Sequence, residues 1–213
     1  MKTNIRDLLD NWPRIFIRDN ELAGILNKTD DARYSIVKRA LKSGILVHIR
    51  KGLYFIANKM KREPVNEFEL ALFIYEPSII SLESALSYHN WIPEAVYTIT
   101  CASPKRAQEF KTPIGIFSYK HVPQKGFYVG VSRISRGNAV FFITDPWRAL
   151  ADFIYVNRKS WKNITQLEAD LRIDADIIIG SDRQLLKLLS ETYPSPRVRK
   201  VLKSFLIEIT KKE

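Results

Sequence analysis

Projected at 100° per residue, positions 33–43 place Ile36, Val37, Ala40 and Leu41 on one arc and Ser35, Lys38, Arg39 and Lys42 on the opposite one. This period predicts an amphipathic helix. It should begin near Asp31, whose side chain can accept from the free amides of the first turn, and end at Ser43, where Gly44 supplies the left-handed residue that closes many helices. Upstream, Asp19 can cap a shorter helix through Leu22, Ala23, Ile25 and Leu26, which the polar run Asn27-Lys28-Thr29-Asp30 breaks. Downstream the period changes to two. Ile45 to Ile49 and Leu53 to Ala57 read as strands joined by Arg50-Lys51-Gly52, a tight turn in which the glycine permits a positive φ. Helix, turn, helix and hairpin in succession predict a winged helix-turn-helix over 1–62.

The polar run Asn58 to Pro64 separates this segment from the remainder of the chain. A connecting helix is expected over 63–77, with Val65, Phe68, Leu72 and Tyr75 on one face and Pro77 at its end. Ser81 can cap a helix over Leu82 to His89. Strand-like runs come next at Ala95 to Ala102, Gln108 to Thr112, Gly115 to Val122, Gly130 to Ser135 and Ala139 to Thr144, which predict a largely antiparallel sheet. Thr144 or Asp145 before Pro146 starts a helix whose buried stripe is Trp147, Leu150, Ala151 and Ile154. Two last helices should start near Ser181-Asp182 and Ser195-Pro196. The final one would bury Val198, Val201, Leu202, Phe205 and Ile209 and leave Arg197, Arg199, Lys200 and Lys203 as a basic strip. The expected fold class is α+β: the winged N-terminal domain, the connecting helix, and a mixed α/β domain over 78–213.

Charge changes the picture more than length does. Of the net +11 carried by 213 residues, +8 lies in positions 28–62, where ten Lys and Arg face only Asp30 and Asp31. Such a block attracts a polyanion through counterion release, and the plain alternative is a solvated basic face. The hydrophobic share of 46% is enough for one or two packed cores. The longest apolar runs, Ala139 to Thr144 and Asp176 to Gly180, fall far short of the roughly 20 residues that cross a bilayer. The start Met1-Lys2-Thr3-Asn4 lacks the apolar core of a signal peptide, so a cytoplasmic protein with no membrane partner is expected. One cysteine, Cys101, allows no internal disulfide, and His48, His89 and His121 are scattered, so neither a metal nor a cofactor is expected.

Long cationic side chains and a short hydroxyl on one helical face suit a major groove, where Arg and Lys donate to guanine O6 and N7. Lys38, Arg39 and Lys42 are the expected groove and phosphate contacts, with Tyr34 and Ser35 as hydrogen-bonding partners of base edges or phosphates. Arg33 stands at the positive helix start, where a phosphate can approach, and Arg50 and Lys51 form the tip of the wing. No phosphate loop, dinucleotide fingerprint, nucleophile elbow or His-Glu-x-x-His occurs, so the chain reads as non-enzymatic. Two enzymatic arrangements compete with that reading. Cys101 with His89 or His121 would be a thiol nucleophile and its base, but Cys101 sits in an apolar strand. Glu109-Phe110-Lys111 with Glu94 could hold Mg²⁺ for phosphodiester cleavage, although the usual Asp partner is missing. A third alternative is a protein-interaction module whose basic helix meets an acidic partner.

Three stretches carry a family resemblance. Arg33-Tyr34-Ser35 through Leu41-Lys42-Ser43-Gly44-Ile45-Leu46 to Arg50-Lys51-Gly52-Leu53-Tyr54, Ser78 through His89, and Thr144-Asp145-Pro146-Trp147-Arg148-Ala149-Leu150-Ala151-Asp152 resemble segments of the AbiEi antitoxins of bacterial type IV toxin-antitoxin systems. Trp147-Arg148 departs from the Glu-Lys usual there. The resemblance implies a repressor that binds inverted repeats in the double-stranded DNA of its own promoter. It also implies a C-terminal domain that counters a nucleotidyltransferase-type toxin without a required stable complex. A solitary transcription regulator is the alternative.

Overall fold

The structure, a computed structural model, describes residues 5–62 and 64–211, so the first four residues and Glu63 of the expected polar connection lie outside it. The chain divides into two units, Met1–Asn66 and Glu67–Glu213.

In the first unit, α1 (Ile5–Asp10), β1 (Phe16–Arg18), α2 (Asp19–Leu26) and α3 (Asp30–Lys42) precede the hairpin β2 (Leu46–Arg50) and β3 (Leu53–Ile56) and a single turn, α4 (Ala57–Met60). The sheet order is β1-β3-β2, with both pairings antiparallel. The capping positions differ from expectation, by one residue for α2 and by two for α3. Arg18 is the N-cap of α2, and its amide donates to Glu21 Oε2 at 2.8 Å, so the carboxylate three residues on does the capping expected of Asp19. Thr29, not Asp31, precedes α3, and no side chain caps it. The far end of α3 closes as expected: Gly44 has φ +69°, its amide donates to Leu41 O at 3.1 Å, and the Ile45 amide donates to Ala40 O at 2.9 Å. These two bonds satisfy carbonyls that the helix end would otherwise leave open. Val37 and Ala40 pack with Leu9, Ile17, Leu22, Leu46 and Ile56 in the core of this unit.

The second unit contains α5 (Glu67–Ile74), β4 (Ile79–Ile80), α6 (Leu82–Tyr88), β5 (Thr98–Ser103), β6 (Gln108–Thr112), β7 (Gly115–His121), β8 (Val131–Arg136) and β9 (Ala139–Thr144). Five helices complete it: α7 (Pro146–Val156), α8 (Ile164–Leu171), α9 (Ala175–Ile179), α10 (Arg183–Thr192) and α11 (Pro196–Lys211). The strands form one six-stranded sheet of order β6-β7-β5-β4-β9-β8. This sheet is mixed, which corrects the largely antiparallel expectation: β5 with β7 and β4 with β9 run parallel, and the other three pairings are antiparallel. The cause is non-local. The β6–β7 hairpin folds back so that β7 inserts beside β5, and the two-residue β4 separates β5 from β9.

Helix α5 lies on one face, where Phe68 meets Phe141 at 5.3 Å and Tyr119 donates its hydroxyl to Ala71 O at 2.6 Å. On the other face Ile79 and Ala102 pack with Tyr155 and Val156 of α7. Asp145 caps α7 by accepting from the Trp147 amide at 2.9 Å, with Pro146 in the first turn. Val198, Val201, Leu202, Phe205 and Ile209 of α11 are all buried. Among the described residues, no helix is long and apolar enough to cross a membrane.

Candidate nucleic-acid interface

Because Val37 and Ala40 are buried, the opposite arc of α3 must face outward, and Tyr34, Ser35, Lys38, Arg39 and Lys42 are all exposed, Tyr34 by 69%. Arg39 Nε donates to the Ser35 carbonyl at 3.2 Å, which lays the guanidinium along the helix surface. Among the described residues no carboxylate within ion-pair distance neutralises Lys38, Arg39 or Lys42.

Arg33 is held differently. Its guanidinium reaches Asp30 at 3.0 Å and Asp19 at 3.5 Å, so two carboxylates already balance its charge. Asp19 also donates its backbone amide to Gly52 O at 2.9 Å. It therefore ties α3 to the turn of the β2–β3 hairpin, fixing the exposed helix face relative to the hairpin tip. The Tyr54 phenol belongs to the same cluster: burial and the Asp19 carboxylate raise its pKa, while Arg33 opposes them. Asp19, Arg33, Tyr34, Val37, Lys38 and Tyr54 border a cleft of about 220 Å³ beside the exposed face. From the sequence Asp19 is expected only to cap a helix. Its contacts with Arg33 and Gly52 join positions far apart in the chain, for which no local pattern exists.

At the hairpin tip Lys51 is exposed, whereas Arg50 is half-buried and its Nη1 donates to the Lys51 carbonyl at 3.4 Å. Gly52 has φ +76°, as the turn requires. The register passes from His48 opposite Tyr54 to Arg50 opposite Leu53, so Ile49 forms a bulge that bends the strand just before the tip.

In the second unit, Ser81 before α6, Arg148 and Asp152 of α7 and Tyr193 after α10 meet in a buried network. Ser81, expected to cap α6, instead donates its hydroxyl to Asp152 Oδ2 at 2.8 Å. Asp152 Oδ1 accepts from Arg148 Nε at 3.0 Å and from the Tyr193 hydroxyl at 2.9 Å. Burial and the neighbouring Asp152 push the Tyr193 phenol far above its ordinary range, so it stays protonated and donates. Arg148 Nη1 further donates to Gly126 O at 2.8 Å and Val129 O at 2.9 Å. His89 Nε2 lies 3.0 Å from Thr144 O. Ser81 and Asp152 are fully buried, so this network organises the unit and offers no surface.

The residues of the two enzymatic arrangements that the sequence suggests have other surroundings and partners. Cys101 is fully buried, and burial pushes its thiol well above the usual range. His89 and His121 both bond backbone carbonyls, Thr144 O and Lys105 O. Glu109 and Lys111 are exposed on edge strand β6, while Glu94 sits in a loop and faces Arg172 at 3.5 Å. Among the described residues no cluster of three or more His, Cys, Asp and Glu could hold a metal ion.

Not all of the basic strip of α11 is open. Arg197 donates to the carbonyls of Ile154, Tyr155 and Lys159 at 2.7 to 3.1 Å and thereby closes the end of α7, leaving Lys200 and Lys203 as the exposed cations. No model of a known protein family matches the chain, and no curated protein matches it.

Proposed function

We propose that this chain is a cytoplasmic transcriptional regulator that binds double-stranded DNA, inserting α3 into a major groove and laying the β2–β3 hairpin against the flanking backbone as a wing. The observation that carries this reading is the outward face of α3. There Ser35, Lys38, Arg39 and Lys42 stand exposed on a helix whose other face is core, and among the described residues no carboxylate lies at ion-pair distance from the three cations. A helix with side chains is about 10–12 Å across and the groove about 12 Å wide, so the face can approach base edges. Lys51 supplies a phosphate contact on the wing, which sets register without reading sequence.

The reading extends to an antitoxin of the AbiEi type that represses its own operon at inverted repeats and counters a nucleotidyltransferase-type toxin. It is supported by the contact between Ser81 of one resembling stretch and Asp152 of the other. A bidentate Arg39 at guanine makes Arg39→Ala cost about 1 to 3 kcal/mol at the cognate site and relax preference there, measured by titrating operator variants. Unchanged affinity together with unchanged preference refutes the assignment.

A further inference from the structure

Asp19, the first residue of α2, touches both parts of the proposed interface. Its carboxylate lies 3.5 Å from the Arg33 guanidinium of α3, and its amide donates to Gly52 O at 2.9 Å. Each contact is one residue away from that interface: Arg33 precedes Tyr34 and Ser35, and Gly52 follows Lys51. The approach at the turn is close, since a Cβ on Gly52 would stand 3.8 Å from Asp19 Cβ. Packing alone does not fix the spacing on this side, because a cleft of about 220 Å³ stays open between Arg33, Val37 and Lys38 of α3 and Tyr54 of β3.

The other partner of Arg33 makes no such link. Asp30 accepts from Arg33 Nη1 at 3.0 Å from within α3 itself, and its side chain is 90% exposed. Arg33 thus meets one local carboxylate and one that belongs to another element. Exposed ion pairs add little to folding stability, so the role of the second is better sought in geometry. A bidentate guanine contact tolerates little displacement, whereas a lysine on its flexible stem can follow a phosphate. Loosening α3 relative to the hairpin therefore harms base readout before it harms overall attraction.

We propose that Asp19 is a positioning residue for sequence readout: its carboxylate holds Arg33 while its backbone holds the hairpin turn, so that helix and wing meet the duplex in one register. The proposal rests on the DNA-binding reading, and it assigns Arg33 to this bridge instead of to a phosphate.

The test is fluorescence anisotropy of the full chain with DNA from its own upstream region and with a shuffled duplex, at physiological ionic strength, paired with thermal unfolding. Asp19→Asn should lower the affinity ratio of upstream to shuffled DNA by about fivefold or more. Shuffled DNA should bind it as tightly as the wild type or more so, since a negative charge has gone. Asp30→Asn removes the same charge without the link and should keep the ratio within about twofold of the wild type. Arg33→Gln should lower the ratio as Asp19→Asn does, and adding Asp19→Asn to it should lower the ratio no further. Unfolding temperatures close to that of the wild type are expected throughout; if Asp19→Asn fails to fold, Arg33→Gln set against Asp30→Asn decides the same question. An undiminished ratio in Asp19→Asn, an equal fall in Asp30→Asn, or a further fall in the double variant overturns the proposal and leaves the DNA-binding reading standing. A wild type with no preference for the upstream DNA overturns that reading, and the proposal with it.

Discussion

Asp145 shows how one residue can carry opposing demands. As the N-cap of α7 it must present an oxygen to the Trp147 amide, yet burial raises its pKa, with Asp182 adding to the rise and the Trp147 bond and His89 opposing it. Because the folded state holds this proton more tightly than the unfolded chain, the contribution of Asp145 to stability declines as pH rises from the ordinary carboxylate range through the raised value. Asp145→Asn keeps the acceptor and removes the titration. It should therefore gain on the wild type as pH climbs to neutral, whereas Asp145→Ala loses the cap and about 1 kcal/mol. Urea unfolding of the three proteins at acid and neutral pH separates these outcomes, and an Asn variant that loses ground toward neutral pH contradicts them. The ion pair of Arg148 and Asp152 makes a stronger demand, since both side chains are almost wholly buried. Removing Arg148 strands the carboxylate and frees two carbonyls, so Arg148→Ala should cost about 3 to 5 kcal/mol in the same assay. A cost within the range of an ordinary surface substitution would show that water replaces the guanidinium.

Among the elements, α3 and the hairpin after it show what a linear pattern can and cannot convey. The outward arc of α3 was legible because 3.6-residue periodicity fixes which side chains oppose the core, and Gly44 marked the stop. A Cβ at Gly44 would meet nothing within 4 Å, so Gly44→Ala tests the backbone alone. At φ +69° it should lose about 1 to 2 kcal/mol in denaturant unfolding without changing the exposed face. The stripe of α7 and the buried face of α11 were legible for the same periodic reason. Strands β1 and β4, of three and two residues, were not, because so few positions establish no alternation. Helix α8 was also unexpected, although Asn163 caps it by accepting from the Gln166 amide at 3.0 Å. The parallel pairings and the capture of Arg33 by Asp19 were illegible for a different reason: each depends on which distant segments meet. At the exposed tip, Lys51→Ala should weaken binding to all DNA sequences alike and flatten the salt slope by about one unit. An unchanged slope removes the hairpin from the interface.

For the whole molecule, charge and architecture divide between the two units. The first concentrates the +8 excess of positions 28–62 on a small three-stranded scaffold, where Asp19 links the helix face to the hairpin. The second is nearly balanced in charge and builds its interior around a mixed sheet and the Ser81–Asp152–Arg148–Tyr193 network. A regulator needs both sequence-independent attraction and base readout, and the two respond differently to salt. Phosphate contacts weaken with ionic strength in proportion to their number, whereas discrimination between sequences rests on base edges. The central claim is therefore tested most directly by fluorescence anisotropy of the full chain with DNA from its own upstream region and with a shuffled duplex, across a salt series. The account predicts tight, salt-sensitive binding to the upstream DNA, with the shuffled duplex clearly weaker at every salt concentration. Equal, weak binding to both duplexes contradicts it, because the basic block would then supply attraction without readout.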